Sequence, residues 1–260
     1  MTRPPATEVE VDTGYSPDRW EFDAEVTRVF DDMLERIIPQ YDEMRAVVTW
    51  VASTFAREDH AIVDLGCSRG EALARVVDAL DLPLPRPWRG ELVGAEVSRP
   101  MLAAARAALG DRARVVEWDL RRGYPPHELP VSVTLSVLTL MFVPVNYRLQ
   151  LLSEAARATT PGGAFVLVEK VLGASGRIDD VLQATYHRLK TGNGYSPDDV
   201  NRKRLALEGV LVPLVAEWNE QLLQRAGFSE VDCFWAWGPF RAWVAVRGIP
   251  DYGATPRRRT

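Results

Sequence analysis

The sequence predicts an α/β fold: a doubly wound, mostly parallel sheet that ends in an antiparallel C-terminal strand. Three observations carry this. Short apolar, β-branched runs alternate with segments of helical period from residue 61 to residue 171, the order that right-handed parallel crossovers produce. The run 131–138 is almost wholly apolar or β-branched, as expected of a strand covered on both faces. The stretch Ile62-Val63-Asp64-Leu65-Gly66-Cys67-Ser68-Arg69-Gly70 ends one such run and opens a helix through a glycine-punctuated acidic turn.

In chain order, residues 1–17 read as a disordered N-terminal tail, with Pro4 and Pro5 followed by Glu8, Glu10 and Asp12. Residues 18–250 read as a single domain. Its first part, 18–58, is a helical cap: Phe22, Val26, Val29, Phe30, Met33, Leu34, Ile37 and Ile38 form one apolar stripe before Pro39, and 41–55 is a second amphipathic helix. Both precede the first strand, which places them over a ligand site. Strand 61–65 then leads to helix 70–80, with Leu73, Val76, Val77 and Leu80 in helical period. A proline-rich loop, 83–88, precedes strand 91–97 and the alanine-rich helix 100–109. Strand 114–117, strand 131–138 and helix 145–158 follow, and Pro161-Gly162-Gly163 separates that helix from strand 164–171. The alternation breaks at 175–214, which reads as a lid of two polar helices around Thr191-Gly192-Asn193-Gly194-Tyr195-Ser196. Helix 215–226, Gly227 as its C-cap, and strands 231–237 and 242–247 close the domain. Residues 251–260 read as a flexible basic tail containing Arg257-Arg258-Arg259.

Composition narrows the function class. The 260 residues are 47% apolar and 26% charged with a net charge of −5, an ordinary globular balance with no large nucleic-acid footprint. Cys67 and Cys233 give no disulfide framework. No apolar run approaches the roughly 20 residues that span a bilayer, and Met1 to Pro5 do not resemble a secretory leader. A cytoplasmic protein without a membrane partner is the expectation.

The acidic turn carries the chemistry. Gly66 and Gly70 allow positive φ and close approach to a ligand, while Asp64 places a carboxylate at the strand end. A phosphate would be repelled there. S-adenosylmethionine, with its ammonium and sulfonium groups, would be welcomed. Ligands of such sheets sit at the carboxyl ends of strands, which adds Glu96 as the acceptor for ribose hydroxyls, Asp119 and the Leu120 N–H for adenine, and the strand end at Val137. Glu96 reads alternatively as a solvated strand-end carboxylate, and Asp119 as a helix N-cap. Cys67 reads as a small buried residue, since no His or Lys is adjacent in sequence to lower its pKa. His60, His127 and His187 are scattered, so no metal site is expected, and His127 is expected in solvent. The aromatic C-terminus, Phe234, Trp235, Trp237, Phe240 and Trp243, reads as core.

The turn at 62–70, Glu96, Asp119 and Pro161-Gly162-Gly163 resemble class I S-adenosylmethionine-dependent methyltransferases, a Rossmann-like fold. A narrower resemblance covers most of the chain. Phe22-Asp23, Val29-Phe30, Met33, Pro39-Gln40-Tyr41, Thr139-Leu140-Met141-Phe142, Glu169-Lys170, Asn193-Gly194-Tyr195-Ser196, Lys203-Arg204 and Ala226-Gly227-Phe228 resemble the carboxy-S-adenosylmethionine synthase family, which serves tRNA wobble-uridine modification. The resemblance implies ligand contacts at Tyr41, Gly66, Glu96, Asp119 and Arg204. A guanidinium at Arg204 suits a carboxylate on the sulfonium substituent better than a plain methyl sulfonium, whereas Arg202 and Lys203 read as surface ion-pairing residues. The chain departs from the family pattern at Glu96-Val97, where the family has Asp-Asn, and at Val137, where it has Asn.

The expected cofactor site is therefore Tyr41, Asp64, Gly66, Cys67, Ser68, Glu96, Val97, Asp119, Leu120, Val137 and Arg204, with Arg204 and Tyr195 as expected catalytic residues and His187 as another lid group able to help remove a proton. Three functions fit: methyl transfer from S-adenosylmethionine to an unidentified acceptor, carboxylation of its methyl group with prephenate, and a non-catalytic S-adenosylmethionine-binding module. The lid helices leave room for a homodimer contact.

Overall fold

The computed structural model describes residues 20–81 and 88–249. The predicted tails at 1–17 and 251–260, and all of the 83–88 loop except Trp88, lie outside the described residues. Helix α1, Ala24–Ile37, starts where the Asp23 side chain accepts from the Val26 N–H at 2.9 Å, and it buries Val26, Phe30, Met33 and Ile37. Gln40, at φ +48°, turns the chain into α2, Tyr41–Phe55.

The sheet strands are β1 Ala61–Leu65, β2 Glu91–Glu96, β3 Arg114–Glu117, β4 Val131–Val137, β5 Thr159–Leu172, β6 Leu214–Val215, β7 Glu230–Trp237 and β8 Phe240–Val246. Their order is β3-β2-β1-β4-β5-β8-β7, with β6 pairing only the end of β5. Strands β1 to β5 run parallel to their neighbours, while β8 is antiparallel to both β5 and β7. The expected doubly wound sheet with an antiparallel C-terminal pair is thus the observed one. All five β1 residues are buried, because helices cover both sheet faces.

The covering helices are α3 Glu71–Asp81, α4 Arg99–Leu109, α5 Val145–Ala158, α6 Gly176–Gly192, α7 Pro197–Ala206 and α8 Ala216–Ala226. One core joins Val26, Met44, Leu73, Met101, Val133, Tyr186 and Val200, so cap, α3, α4 and lid share one side. The other joins Leu151, Leu223, Phe165 and Trp243 under α5 and α8. The β1–β4 switch, where β2 and β4 flank β1 with their crossovers on opposite sides, leaves a crevice at the strand carboxyl ends.

Three sequence expectations need correction. Strand β5 begins at Thr159, not Ala164, because Pro161-Gly162-Gly163 forms a register jump inside the strand, with Gly162 at φ +74°, and does not precede it. Strand β6 went unpredicted, since two residues carry no periodicity. His127 is half-buried, edge-on to Tyr124 at 5.5 Å between ring centroids. No helix among the described residues is long and apolar enough to cross a membrane.

Candidate active site

The β1–α3 turn is built around Gly66 at φ +73°, where an added Cβ would lie 2.3 Å from the Thr139 side chain that follows β4. Thr139 donates to the Gly66 carbonyl at 3.2 Å, so the two strand ends interlock at the crevice. Ser68 and Leu138 adopt φ +48° and +57° without being glycine, and both line the cavity beside this junction. Strained backbone of this kind is maintained where the surroundings over-determine it.

A cavity of about 560 Å³ opens from the turn toward the lid. Its sheet end is acidic. Asp64 is 2% exposed, and burial, reinforced by the charge of Glu96, pushes its carboxyl up to about 7. Glu96 accepts from the N–H groups of Val97 and Ser98, each at 2.8 Å, and of Ser68 at 2.9 Å. Burial raises its pKa while those donors oppose the rise. Neither Asp64 nor Glu96 has a cationic side chain in a salt bridge among the described residues, so this end of the cavity suits a positively charged ligand. These carboxylate acceptors fit the sulfonium and ammonium of S-adenosylmethionine.

Basic side chains line the cavity too, as do the carboxylates of Asp179 and Glu208. Lys170 from β5, His187 and Lys190 from α6, and Lys203 and Arg204 from α7 all line the cavity. Lys170 and Lys190 hold their ammonium groups 5.0 and 4.1 Å from the centroid of the Tyr186 ring. Lys203 lies 5.0 Å from the Trp20 ring and 5.8 Å from that of Tyr195. Burial, with repulsion from Lys170 and Lys203, brings Lys190 down to about 7. Burial, then Lys190, Lys170 and Arg204, lowers His187 as well. Arg204 donates to the Asn201 side chain at 3.0 Å.

Cap and lid cover both ends. The Trp20 N–H donates to the Ala206 carbonyl at 3.0 Å, and the Asn193 amide to the Arg36 carbonyl at 2.8 Å. Phe22 packs edge-on against Phe142 at 5.2 Å. Arg69, in the acidic turn, pairs with Asp31 of α1 at 2.6 Å, and Arg45 of α2 pairs with Glu71.

Of the expected site residues, Asp64, Gly66, Cys67, Ser68, Val137 and Arg204 line this one cavity, as does His187. Glu96 adjoins it through the Ser68 N–H. Tyr41 is buried behind the wall, stacked 4.1 Å under Arg45, and its hydroxyl is pushed up by burial. Val97 is exposed, and Asp119, with Leu120 beside it, is held by Arg121, which lowers its pKa. Tyr195 is buried but is not a cavity-lining residue. Cys67 is buried and its thiol is pushed up by burial, away from nucleophile chemistry. Lys203 corrects the surface reading: it is 3% exposed, because Trp20 closes over α7, whereas Arg202 does pair with Asp199 at the surface. Lys190 was missed because a lone lysine on a polar helix carries no sequence signal. Phe240, expected only as core, also lines the cavity.

Comparison with known proteins agrees with this geometry. Residues 62–163 match a family described as a methyltransferase domain. The carboxy-S-adenosyl-L-methionine synthase of Methylococcus capsulatus is 37% identical over 235 residues, covering 88% of this chain and 94% of that protein. The enzyme of the same name from Desulforapulum autotrophicum is 35% identical and covers 88% and 91%. An O-methyltransferase family protein from Burkholderia thailandensis superposes with a TM-score of 0.58 at 18% identity, over 88% of this chain and 61% of the other. With a class I methyltransferase fold and this degree of identity over nearly its whole length, the chain belongs to the carboxy-S-adenosyl-L-methionine synthase family.

Proposed function

We propose that the protein carboxylates the sulfonium methyl group of S-adenosylmethionine, with prephenate as the carboxyl source. The observation that carries this reading is that Lys170, Lys190, Lys203 and Arg204, from β5, α6 and α7, line the same cavity as Asp64. Cations lining the reaction chamber repel a plain methyl sulfonium, and an anion between them removes the repulsion. A carboxylate arriving on the co-substrate, and then remaining on the methyl carbon, supplies that anion.

In this reading Asp64 faces the cationic methionine part, Glu96 accepts from the ribose hydroxyls through its free lone pairs, and Asp119 with the Leu120 N–H meets the adenine. Tyr41 supports the wall behind Glu71. Arg204 pairs with the transferred carboxyl group, and a hydroxyl-to-guanidinium bridge from Tyr195 requires lid movement. Cap and lid exclude water. The balance is complete without an oxidant: the methyl carbon exchanges one C–H bond for a bond to the carboxyl carbon. The prephenate ring loses that carboxyl group and hydroxide to become phenylpyruvate, and the released proton and hydroxide form water.

The test is incubation of the full chain with S-adenosylmethionine and prephenate, followed by mass spectrometry. A product heavier than S-adenosylmethionine by one CO2, dependent on prephenate, is expected. Its absence from protein that binds S-adenosylmethionine refutes the reading. A second reading, methyl transfer to an anionic acceptor, is favoured by Val137, whose apolar side chain offers no polar contact to a carboxymethyl group at the strand end. It predicts accumulation of S-adenosylhomocysteine with the acceptor and no CO2 gain.

A further inference from the structure

Arg204 suffices for the carboxyl group that is transferred, which leaves Lys170 and Lys190 without a role. They come from separate elements, β5 and α6, yet both ammonium groups flank the one Tyr186 ring. Both side chains line the cavity, and Lys190 is 8% exposed. Neither forms a salt bridge with a carboxylate among the described residues. The Lys170 ammonium donates at 3.4 Å to the neutral amide of Gln183. Asp179 lines the same cavity, and its charge favours the protonated Lys170 against burial without forming a salt bridge, while its Oδ1 accepts from the Gly173 N–H at 2.8 Å, at the turn into α6.

A buried ammonium group beside a half-buried one, neither in a salt bridge among the described residues, destabilises a fold. The depressed pKa of Lys190 reports that cost, with burial the larger cause and Lys170 the next. The Tyr186 ring and, for Lys170, the charge of Asp179 offset only part of that cost, and a ligand is expected to supply the remaining counter-charge. The surroundings describe that ligand further. Tyr186 and Phe240 meet edge to face at 5.3 Å between centroids and present an apolar wall beside the ammonium groups. An anion attached to a ring or a compact apolar body fits, and a small inorganic anion leaves that wall unfilled.

We propose that Lys170 and Lys190 form a second anion subsite, which holds the carboxylate that stays on the co-substrate while Arg204 holds the one that is transferred. The co-substrate is then an apolar-bodied dicarboxylate, with its ring against Tyr186 and Phe240. This rests on the carboxylation reading above, and the two are separable by experiment.

Phenylpyruvate is the useful probe, because it keeps only the retained carboxylate. Its affinity for the full chain loaded with S-adenosylmethionine is measured by titration calorimetry in the wild type and in Lys170→Met, Lys190→Met, Lys190→Arg and Arg204→Ala. Each methionine variant is expected to weaken phenylpyruvate about tenfold or more, a loss of about 1.4 kcal/mol. Lys190→Arg keeps the charge and is expected to stay within about threefold, and Arg204→Ala within about twofold, of the wild type. Melting of the ligand-free protein supplies the readout that a structural role would not share. Lys190→Met removes a desolvated, repelled charge, so its melting temperature is expected to stay level or rise. Unchanged phenylpyruvate affinity in both methionine variants overturns the subsite, as does a lowered melting temperature with parallel loss of S-adenosylmethionine binding. Carboxylated product from the wild type together with lysine-independent phenylpyruvate binding ends this inference and spares the reaction. Lysine-dependent binding with no carboxylated product supports the subsite and ends the reaction.

Discussion

Asp64 joins the two properties that make the cofactor end work: it lies near the end of a fully buried strand, and it lines a cavity with no cationic side chain in a salt bridge to it among the described residues. Burial and Glu96 hold its pKa at about 7, well above the ordinary carboxyl value of about 3.9. The sign of the consequence is fixed. Below pH 7 the free protein carries Asp64 protonated, and a bound sulfonium and ammonium favour the ionised form, so binding releases a proton. Affinity for S-adenosylmethionine is therefore expected to rise with pH, by up to about tenfold per unit below pH 7, and to level off above it. The same linkage makes the free fold less stable as pH rises from about 4 through 7, because the unfolded chain ionises first. Calorimetric titration across that range checks the binding profile, with Asp64→Asn as the comparison. An equally steep profile in Asp64→Asn would assign the proton elsewhere. Asp64, Gly66 and Glu96 were legible in the sequence because strand ends and glycines mark them locally. Lys190 and Lys203 were not: their burial comes from Tyr186 and Trp20, the latter more than 180 residues away along the chain from Lys203.

At the scale of elements, the lid side of the site is anchored by a buried guanidinium. Arg148 of α5 is fully buried, and it donates to the carbonyls of Val143 at 2.7 Å, Met141 at 3.2 Å and Val212 at 2.7 Å. It thereby ties the turn after β4, whose Met141 and Phe142 line the cavity, to the segment leading into β6. Glu169 of β5 is buried nearby, close to the N–H groups of Leu140 and Met141, and burial pushes its carboxyl up to about 8 despite Arg148. Burial therefore favours the neutral glutamate, and no salt bridge joins it to Arg148 among the described residues. Two unequal effects follow. Arg148→Met takes the guanidinium donor from the Val143 and Val212 carbonyls, while Met141 keeps the Val212 N–H at 2.9 Å, and is expected to cost about 2 kcal/mol or more. Glu169→Gln replaces a neutral carboxyl by a neutral amide of similar shape and is expected to change stability by about 1 kcal/mol or less. Urea unfolding at pH 7 measures both; equal large losses would show a charged, mutually dependent pair. The elements themselves were legible where periodicity is long, as in α1, α5 and β4. The early start of β5 was not, because Pro161-Gly162-Gly163 reads as a breaker in sequence and becomes a register jump only when β4 is beside it.

Across the whole molecule, a chain of net charge −5 forms a cavity lined by charges of both signs: an acidic pole at Asp64 on β1, and a basic pole of Lys170, Lys190, Lys203 and Arg204 on β5, α6 and α7, with Asp179 and Glu208 also in the wall. The fold class and the acidic pole were readable from β-strand order and the 62–70 turn. The basic pole was not, since it exists only once β5, α6, α7 and the cap meet. A polar cavity of this kind couples its ligands. A cation bound near Asp64 and Glu96 and an anion bound near Lys170, Lys190 and Arg204 attract each other across the cavity. Two unit charges about 8 Å apart at an effective dielectric of about 20 attract by about 2 kcal/mol, roughly thirtyfold in affinity. S-adenosylhomocysteine has the same nucleoside and amino acid but an uncharged thioether, so it isolates the sulfonium charge. Phenylpyruvate is therefore expected to bind several-fold to about thirtyfold more tightly to protein loaded with S-adenosylmethionine than to protein loaded with S-adenosylhomocysteine. Linkage requires the reciprocal: saturating phenylpyruvate must tighten S-adenosylmethionine over S-adenosylhomocysteine by the same factor. Calorimetric titrations in both orders measure the two factors. Equal phenylpyruvate affinity in the two loaded forms would mean that the poles are screened from each other, and the charge argument for the site would fall with it.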